Sequence, residues 1–297
     1  MNQSLSTSPN SPPLEIFSSR QFPEWLHNQG ITLAVTTYQT GQLIFFGVNP
    51  KGRLSGFHRL FDRAMGLYVL PERLYLGTKY QLWQIDNVLA PGQLYNSYDK
   101  LYIPRIAYTT ADLDIHDIII ESSSPDQFTF SPNRIIFASP LLNCLATVSH
   151  RNSCTPVWTP PFISKVVNED RCHLNGLAVV DGKPAYVTVC SQSDIIDGWR
   201  DRRHQGGAII DVRTNQTLIT GLSMPHSPRF YQGKLWVLNS GAGEFGYIDN
   251  LETTPEFIPI TFCPGYLRGL AFWQNFAIVG LSKPRDKTFS GLPLDAP

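Results

Sequence analysis

Arg171-Cys172-His173-Leu174-Asn175-Gly176-Leu177-Ala178-Val179-Val180-Asp181-Gly182 is the stretch on which the fold turns. A polar step leads into an apolar run, Asp181-Gly182 makes a turn, and a second apolar run follows from Ala185 to Val189. Two such runs split by a turn read as an antiparallel hairpin. The phrase recurs. Met65-Gly66-Leu67-Tyr68-Val69 precedes Arg73 to Gly77, and Ile115-His116-Asp117 opens the run Ile118 to Ile120. Pro225-His226-Ser227-Pro228-Arg229-Phe230 precedes Leu235 to Leu238, and Tyr266-Leu267-Arg268-Gly269-Leu270-Ala271-Phe272 precedes Phe276 to Leu281. His116 to His173 is 57 residues, His173 to His226 is 53, and His226 to Arg268 is 42. A loose period of this size in a strand-rich chain predicts stacked repeats.

Outward from that phrase, four-stranded units can be traced. Ile31 to Tyr38 and Leu43 to Val48 make a first hairpin around Gln39-Thr40-Gly41. Later units run from Gly66, His116, Leu174, Arg229 and Gly269. Three of them end a strand in Asp, at Asp86, Asp211 and Asp249, where an Asp caps the following turn. The expected fold is all-β, a six-bladed β-propeller whose last blade is incomplete. The first unit lacks an innermost strand and the last has only its inner two. Either the N-terminal segment completes that blade, or the chain is a shortened version of a longer protein, the reading preferred here. Residues 1–21 read as a disordered polar tail, with a short helical turn beginning at Phe22, and 22–297 as one propeller domain.

Composition narrows the partners. The 297 residues carry 24 basic and 24 acidic side chains, so no basic face is available for nucleic acid. Arg200, Arg202, Arg203 and His204 form only a local cluster. Met1 to Pro13 lacks a basic start and an apolar core, and no apolar run is long enough to cross a bilayer, so a cytoplasmic protein without a membrane partner is expected. The five cysteines (Cys144, Cys154, Cys172, Cys190 and Cys263) contain no CxxC pair and read as buried free thiols. Cys172, beside His173, keeps a metal or nucleophile role open.

Ile31 to Tyr38 with Gln39-Thr40-Gly41, Asp62-Arg63-Ala64-Met65-Gly66, His173-Leu174-Asn175-Gly176-Leu177 and Pro225-His226-Ser227-Pro228-Arg229 together resemble a bacterial family of conserved hypothetical proteins. The resemblance covers Phe22 to Leu294 and implies a protein that continues past Pro297; it implies no chemistry. More distantly, the units are similar to NHL-type and gluconolactonase-like propellers.

In a propeller, the starts of the innermost strands crowd at one mouth of the channel. His116, His173 and His226 each stand at such a start. Three neutral imidazoles suit zinc, iron or copper and leave a ligand position open. Arg268, in the corresponding place, is expected to hold a carboxylate or a developing oxyanion, and Tyr38 to donate a proton. Asn175, Arg229 and Asn239 are expected to contact substrate. Matching the apolar runs differently places Asn175, not His173, opposite His226. Asp112, Asp114 and Asp117 offer a second site, for calcium, or Asp117 orients His116. Ser191 and Ser227 lack a GxSxG elbow, and Ser240 to Glu244 reads as a hairpin turn. The layout resembles that of peptidylamidoglycolate lyase, a six-bladed propeller with a three-histidine zinc site and assisting Arg and Tyr. The activity expected of such a site is that of a metal-dependent lyase or hydrolase on a small polar substrate. The alternative is a non-catalytic propeller that binds a small molecule or a protein partner through the uneven loops Gln192 to Gly206 and Ser122 to Asn133.

Overall fold

The computed structural model of the chain describes residues 15–122, 133–282 and 291–295. The tail 1–14, most of the loop read from Ser122 to Asn133, and residues 283–290 and 296–297 lie outside the described residues. The first element is a nine-residue helix, α1 (Gln21–Gln29), longer than the turn read from the sequence. Leu26 is its buried anchor, and Gly30 ends it in the left-handed conformation.

The rest is β, apart from 3-10 turns at Arg200–Arg202, Ser240–Ala242 and Pro293–Asp295. β1 (Leu33–Thr37), β2 (Gln42–Val48) and β3 (Leu54–Leu60) form a three-stranded sheet. Four four-stranded meanders follow. The first is β4 (Leu67–Leu70), β5 (Arg73–Gly77), β6 (Gln81–Asn87) and β7 (Tyr102–Thr109). The second is β8 (Asp117–Ser122), β9 (Asn133–Ser139), β10 (Cys144–Thr147) and β11 (Thr155–Trp158). The third is β12 (Leu174–Val180), β13 (Lys183–Val189), β14 (Gly207–Asp211) and β15 (Gln216–Leu222). The fourth is β16 (Pro225–Tyr231), β17 (Lys234–Asn239), β18 (Glu244–Asp249) and β19 (Glu256–Phe262). β20 (Tyr266–Trp273) and β21 (Phe276–Ser282) make a two-stranded sheet.

The sheets stack face on face. Ile119, Ile136 and Leu145 of one blade meet Leu177, Val187 and Ile210 of the next. Ala178 and Ile209 meet Leu235, Val237 and Ile248. Leu43 of the three-stranded sheet packs on Leu74, Leu76 and Ile85. Each fully buried Leu, Ile or Val contributes about 1.5–3 kcal/mol, which makes these seams the main source of stability. Burial falls from the centre outward: β8 and β16 begin with four buried residues each, whereas β7 and β19 are largely exposed.

The architecture is a β-propeller, but with five blades, not the six expected. Five strands start at the centre: β4, β8, β12, β16 and β20. The three-stranded sheet brings no further strand of this kind; α1 packs on β2, and its Trp25 meets Phe276 of β21 edge-on with ring centres 5.3 Å apart. The two partial sheets are therefore neighbours at one place in the ring, and counting each as a blade gives one too many. An ion pair pins the centre. Arg229 of β16 donates two bonds to Asp117 of β8 (2.7 and 3.0 Å) and further bonds to the carbonyls of Leu177 in β12 and Leu270 in β20. Asp117 also accepts the Leu177 N–H, so four inner strands share one pair.

Candidate metal centre

Four inner strands are entered by the same three-residue step: a residue with positive φ, a buried residue, and a residue at the channel mouth. The steps are Arg63-Ala64-Met65, Asp114-Ile115-His116, His173-Leu174-Asn175 and Met224-Pro225-His226, with φ of 53°, 51°, 52° and 46° at the first residue. Left-handed backbone is uncommon outside glycine and concentrates at functional sites. In two of these steps it turns a carbonyl onto the imidazole two residues later. His116 Nδ1 lies 2.7 Å from the Asp114 carbonyl, and His226 Nδ1 lies 2.7 Å from the Met224 carbonyl. A carbonyl only accepts, so Nδ1 carries the proton in both rings and Nε2 keeps its lone pair.

In β12 the step is displaced. His173 occupies the left-handed place, and Asn175 stands where the other strands carry His116 and His226. His173 still reaches the cluster, because the Asp170 carboxylate accepts a hydrogen bond from its Nδ1 at 2.7 Å. Asn175 is buried and turned to its own blade, accepting from Thr188 Oγ1 at 2.7 Å and lying 3.3 Å from Cys190 Sγ.

One ligand nitrogen from each of His116, His173 and His226 falls within 4.8 Å of the others. Zinc–nitrogen bonds of about 2.0–2.1 Å place ligand atoms about 3.3 Å apart, so the trio closes on an ion by shifts of about an ångström. Burial, then the charge of Arg268, holds both His116 and His226 well below the ordinary histidine range, and both are neutral, as metal ligands must be. His226 Nε2 is buried without a hydrogen-bond partner. These residues fit a divalent transition metal: three imidazoles, each with one nitrogen committed to a carbonyl or carboxylate.

Aromatic rings wall two of the imidazoles. Trp199 stacks on His173 with ring centres 4.3 Å apart, and Tyr266 meets His226 edge-on at 5.6 Å. Leu292 and Cys190 pack with both.

A model of one family, described as Domain of unknown function (DUF4915), matches residues 20–297. The chain belongs to the DUF4915 family. No protein of curated function matches it. Among solved structures, a glucose dehydrogenase-like oxidoreductase from Thermus thermophilus is similar at 12% identity and a TM-score of 0.48, over 81% of this chain and 84% of that one. Sqt1 of Saccharomyces cerevisiae is similar at 9% identity and a TM-score of 0.47, over 84% and 76%. A luciferin-regenerating enzyme is similar at 10% identity and a TM-score of 0.43, over 80% and 78%. At these identities no chemistry passes from them to this chain.

In this DUF4915 chain the other expected site residues are distributed unevenly. Arg268 lies at the cluster; its charge acts on His116 and His226, and its guanidinium touches Met65 Sδ at 3.1 Å. The ring of Tyr38 lies beside Arg63, whose guanidinium carbon is 5.6 Å from the ring centre. Arg229, expected at substrate, is instead the pin that binds Asp117 and two carbonyls. Asn239 donates to Glu244 at 2.8 Å and accepts the Ser223 N–H at 2.7 Å, which shapes the β17–β18 turn. The three aspartates do not converge on a cation: Asp112 and Asp114 face Arg63, and Asp117 faces Arg229. Asp117 does not orient His116; the Asp114 carbonyl does. Cys172 is fully buried and its thiol is pushed well up by burial, so it is no nucleophile.

Asp170, Trp199 and Tyr266 escaped the sequence reading. Asp170 carried a signal, an acid three residues before a ligand histidine. Trp199 lies in the β13–β14 insertion, and nothing local ties it to His173.

Proposed function

We propose that this protein is a metal-dependent enzyme, a lyase or hydrolase acting on a small polar substrate at the channel mouth. His116, His173 and His226 hold the ion, which is zinc, iron or copper by the chemistry of its ligands. One observation carries the reading: three imidazoles from three blades converge within 4.8 Å with their Nδ1 atoms already engaged. When bound, such a metal polarises a substrate oxygen or makes water a nucleophile near neutral pH. Arg268 binds the substrate beside it. Tyr38, near Arg63, is the proposed proton donor, and Asn175 borders the site behind His173. The balanced charge argues for a small-molecule ligand and against nucleic acid. All five cysteines are free, which fits a reducing compartment such as the cytoplasm. Among the described residues no helix is long and apolar enough to cross a membrane.

Metal analysis of protein purified without a histidine tag tests the reading. About one ion per chain is expected, as in other three-histidine sites, falling to background in His226→Ala. Wild-type protein that stays metal-free after reconstitution would overturn the enzyme reading and leave a ligand- or partner-binding propeller in its place.

A further inference from the structure

Among the described residues, two hydrogen-bond donors at the imidazole cluster have no oxygen to donate to. Trp199 is 4% exposed, and its indole N–H has no hydrogen-bond partner. Arg268 is partly buried; among the described residues its guanidinium bonds only the Met65 thioether, and its charge also acts on the Asp114 carboxyl. The other arginines near the centre are all matched: Arg63 to Asp112, Arg229 to Asp117, and Arg171 to Glu169 and Asp194. A buried donor without an acceptor, as at Trp199, is costly and marks a place suited to a partner. A guanidinium fork and an N–H beside three imidazole rings match an acceptor-rich group of single negative charge.

Trp199 is also held firmly. Its ring stacks on His173, and Arg200 packs on it with the guanidinium carbon 4.5 Å from the ring centre. Its insertion is tied down by the Asp197 N–H, which donates to the carbonyl of Asp170, the residue that aims His173. At Gly198 an added Cβ would lie 2.1 Å from Ser193 Oγ, so the loop has no slack there.

We infer that Trp199 and Arg268 together receive a small carboxylate-bearing ligand at the imidazole cluster, and that Trp199 fixes the plane of His173. The inference rests on the reading of the cluster as a ligand site. Trp199 supplies one neutral donor and Arg268 supplies the charge.

Acetate and acetamide, equal in shape and different in charge, are the probes. Both are titrated calorimetrically into zinc-loaded and metal-free protein, with the indole N–H resonances of the six tryptophans followed by NMR. Acetate is expected to bind at least about tenfold more tightly than acetamide and to move one indole resonance, the one missing from Trp199→Phe. Trp199→Phe keeps the stacked ring and is expected to retain zinc while losing about tenfold in acetate affinity. Arg268→Gln is expected to lose the preference for acetate. Equal binding of the two probes, or an unmoved Trp199 resonance in both protein forms, overturns the inference whether or not zinc binds. If no zinc binds but acetate still moves that resonance, the metal reading fails and this one stands. Inorganic phosphate displacing acetate at lower concentration would overturn the carboxylate assignment.

Discussion

An imidazole binds a metal through one nitrogen and is aimed by what the other holds. Here the aiming groups are two backbone carbonyls and one carboxylate, and only the carboxylate can be removed by substitution. Asp170→Ala leaves His173 Nδ1 without its acceptor and is expected to weaken zinc binding about 10- to 100-fold, with the fold intact. Competition against a chelating dye measures this; a loss under about twofold would show that Asp170 does not aim the ring. At this scale His116 and His226 were legible in the sequence, since each precedes an apolar run in the same way. The contest between His173 and Asn175 was not. It is decided by which of the two takes the left-handed backbone, and two L-residues with ordinary side chains give no sign of that.

Bulges set the inner strands. The pairing registers of β12, β16 and β20 shift between Leu174 and Gly176, His226 and Arg229, and Leu267 and Leu270. Such shifts re-aim side chains at a strand's start. They also explain why sequence periodicity began β16 at Arg229 and β20 at Gly269, while the strands begin at Pro225 and Tyr266. Period-two alternation breaks at a bulge, and Pro225, Pro228 and Gly269 read as strand breakers. β12 itself, Leu174 to Val180, was read to the residue because its run from Leu177 to Val180 is apolar and ends at the Asp181-Gly182 turn. Gly176 is where β12 comes closest to its neighbours: an added Cβ would lie 2.3 Å from Pro228 Cδ and 2.4 Å from Thr188 Oγ1. Gly176→Ala is expected to destabilise the protein by about 1–3 kcal/mol, measured by urea unfolding. Unchanged stability would mean that β16 yields freely at that point.

The Asp capping the third strand of the β12 blade also gives a pH test. Burial works to raise the pKa of Asp211, but the bonds from Arg213 and the N–H groups of residues 213 and 214 outweigh it, and the carboxyl sits below its usual range. Its stabilising effect is therefore complete above the unfolded carboxyl value of about 3.9 and is lost as pH falls through the lower folded value. Asp211→Asn should lose less stability than wild type between about pH 4 and pH 2. Parallel acid-unfolding curves for the two proteins would remove the pair from the account.

At the scale of the molecule, the repeat and the propeller were legible because hydrophobic runs recur at blade-sized spacing. The blade count was not, because a partial sheet and a whole blade look alike until their place in the ring is known. The ring depends on its central ion pair. Asp117→Asn leaves the Arg229 guanidinium, 28% exposed, without its counter-charge between four inner strands, and is expected to cost about 3 kcal/mol. Denaturant unfolding measures it; a change below about 1 kcal/mol would show that the backbone carbonyls alone hold Arg229. The displaced step in β12 has a consequence for descent. If the blades arose by copying one ancestral unit, copying accounts for His116 and His226, which hold equivalent places, but not for His173, which stands two residues away from them. The third ligand was then recruited separately, together with the acid that aims it and the inserted ring that stacks on it. Asp170, His173 and Trp199 should therefore persist or vanish as a set among related chains, while an alignment built on blade repetition would set Asn175 opposite His116 and His226 and overlook them.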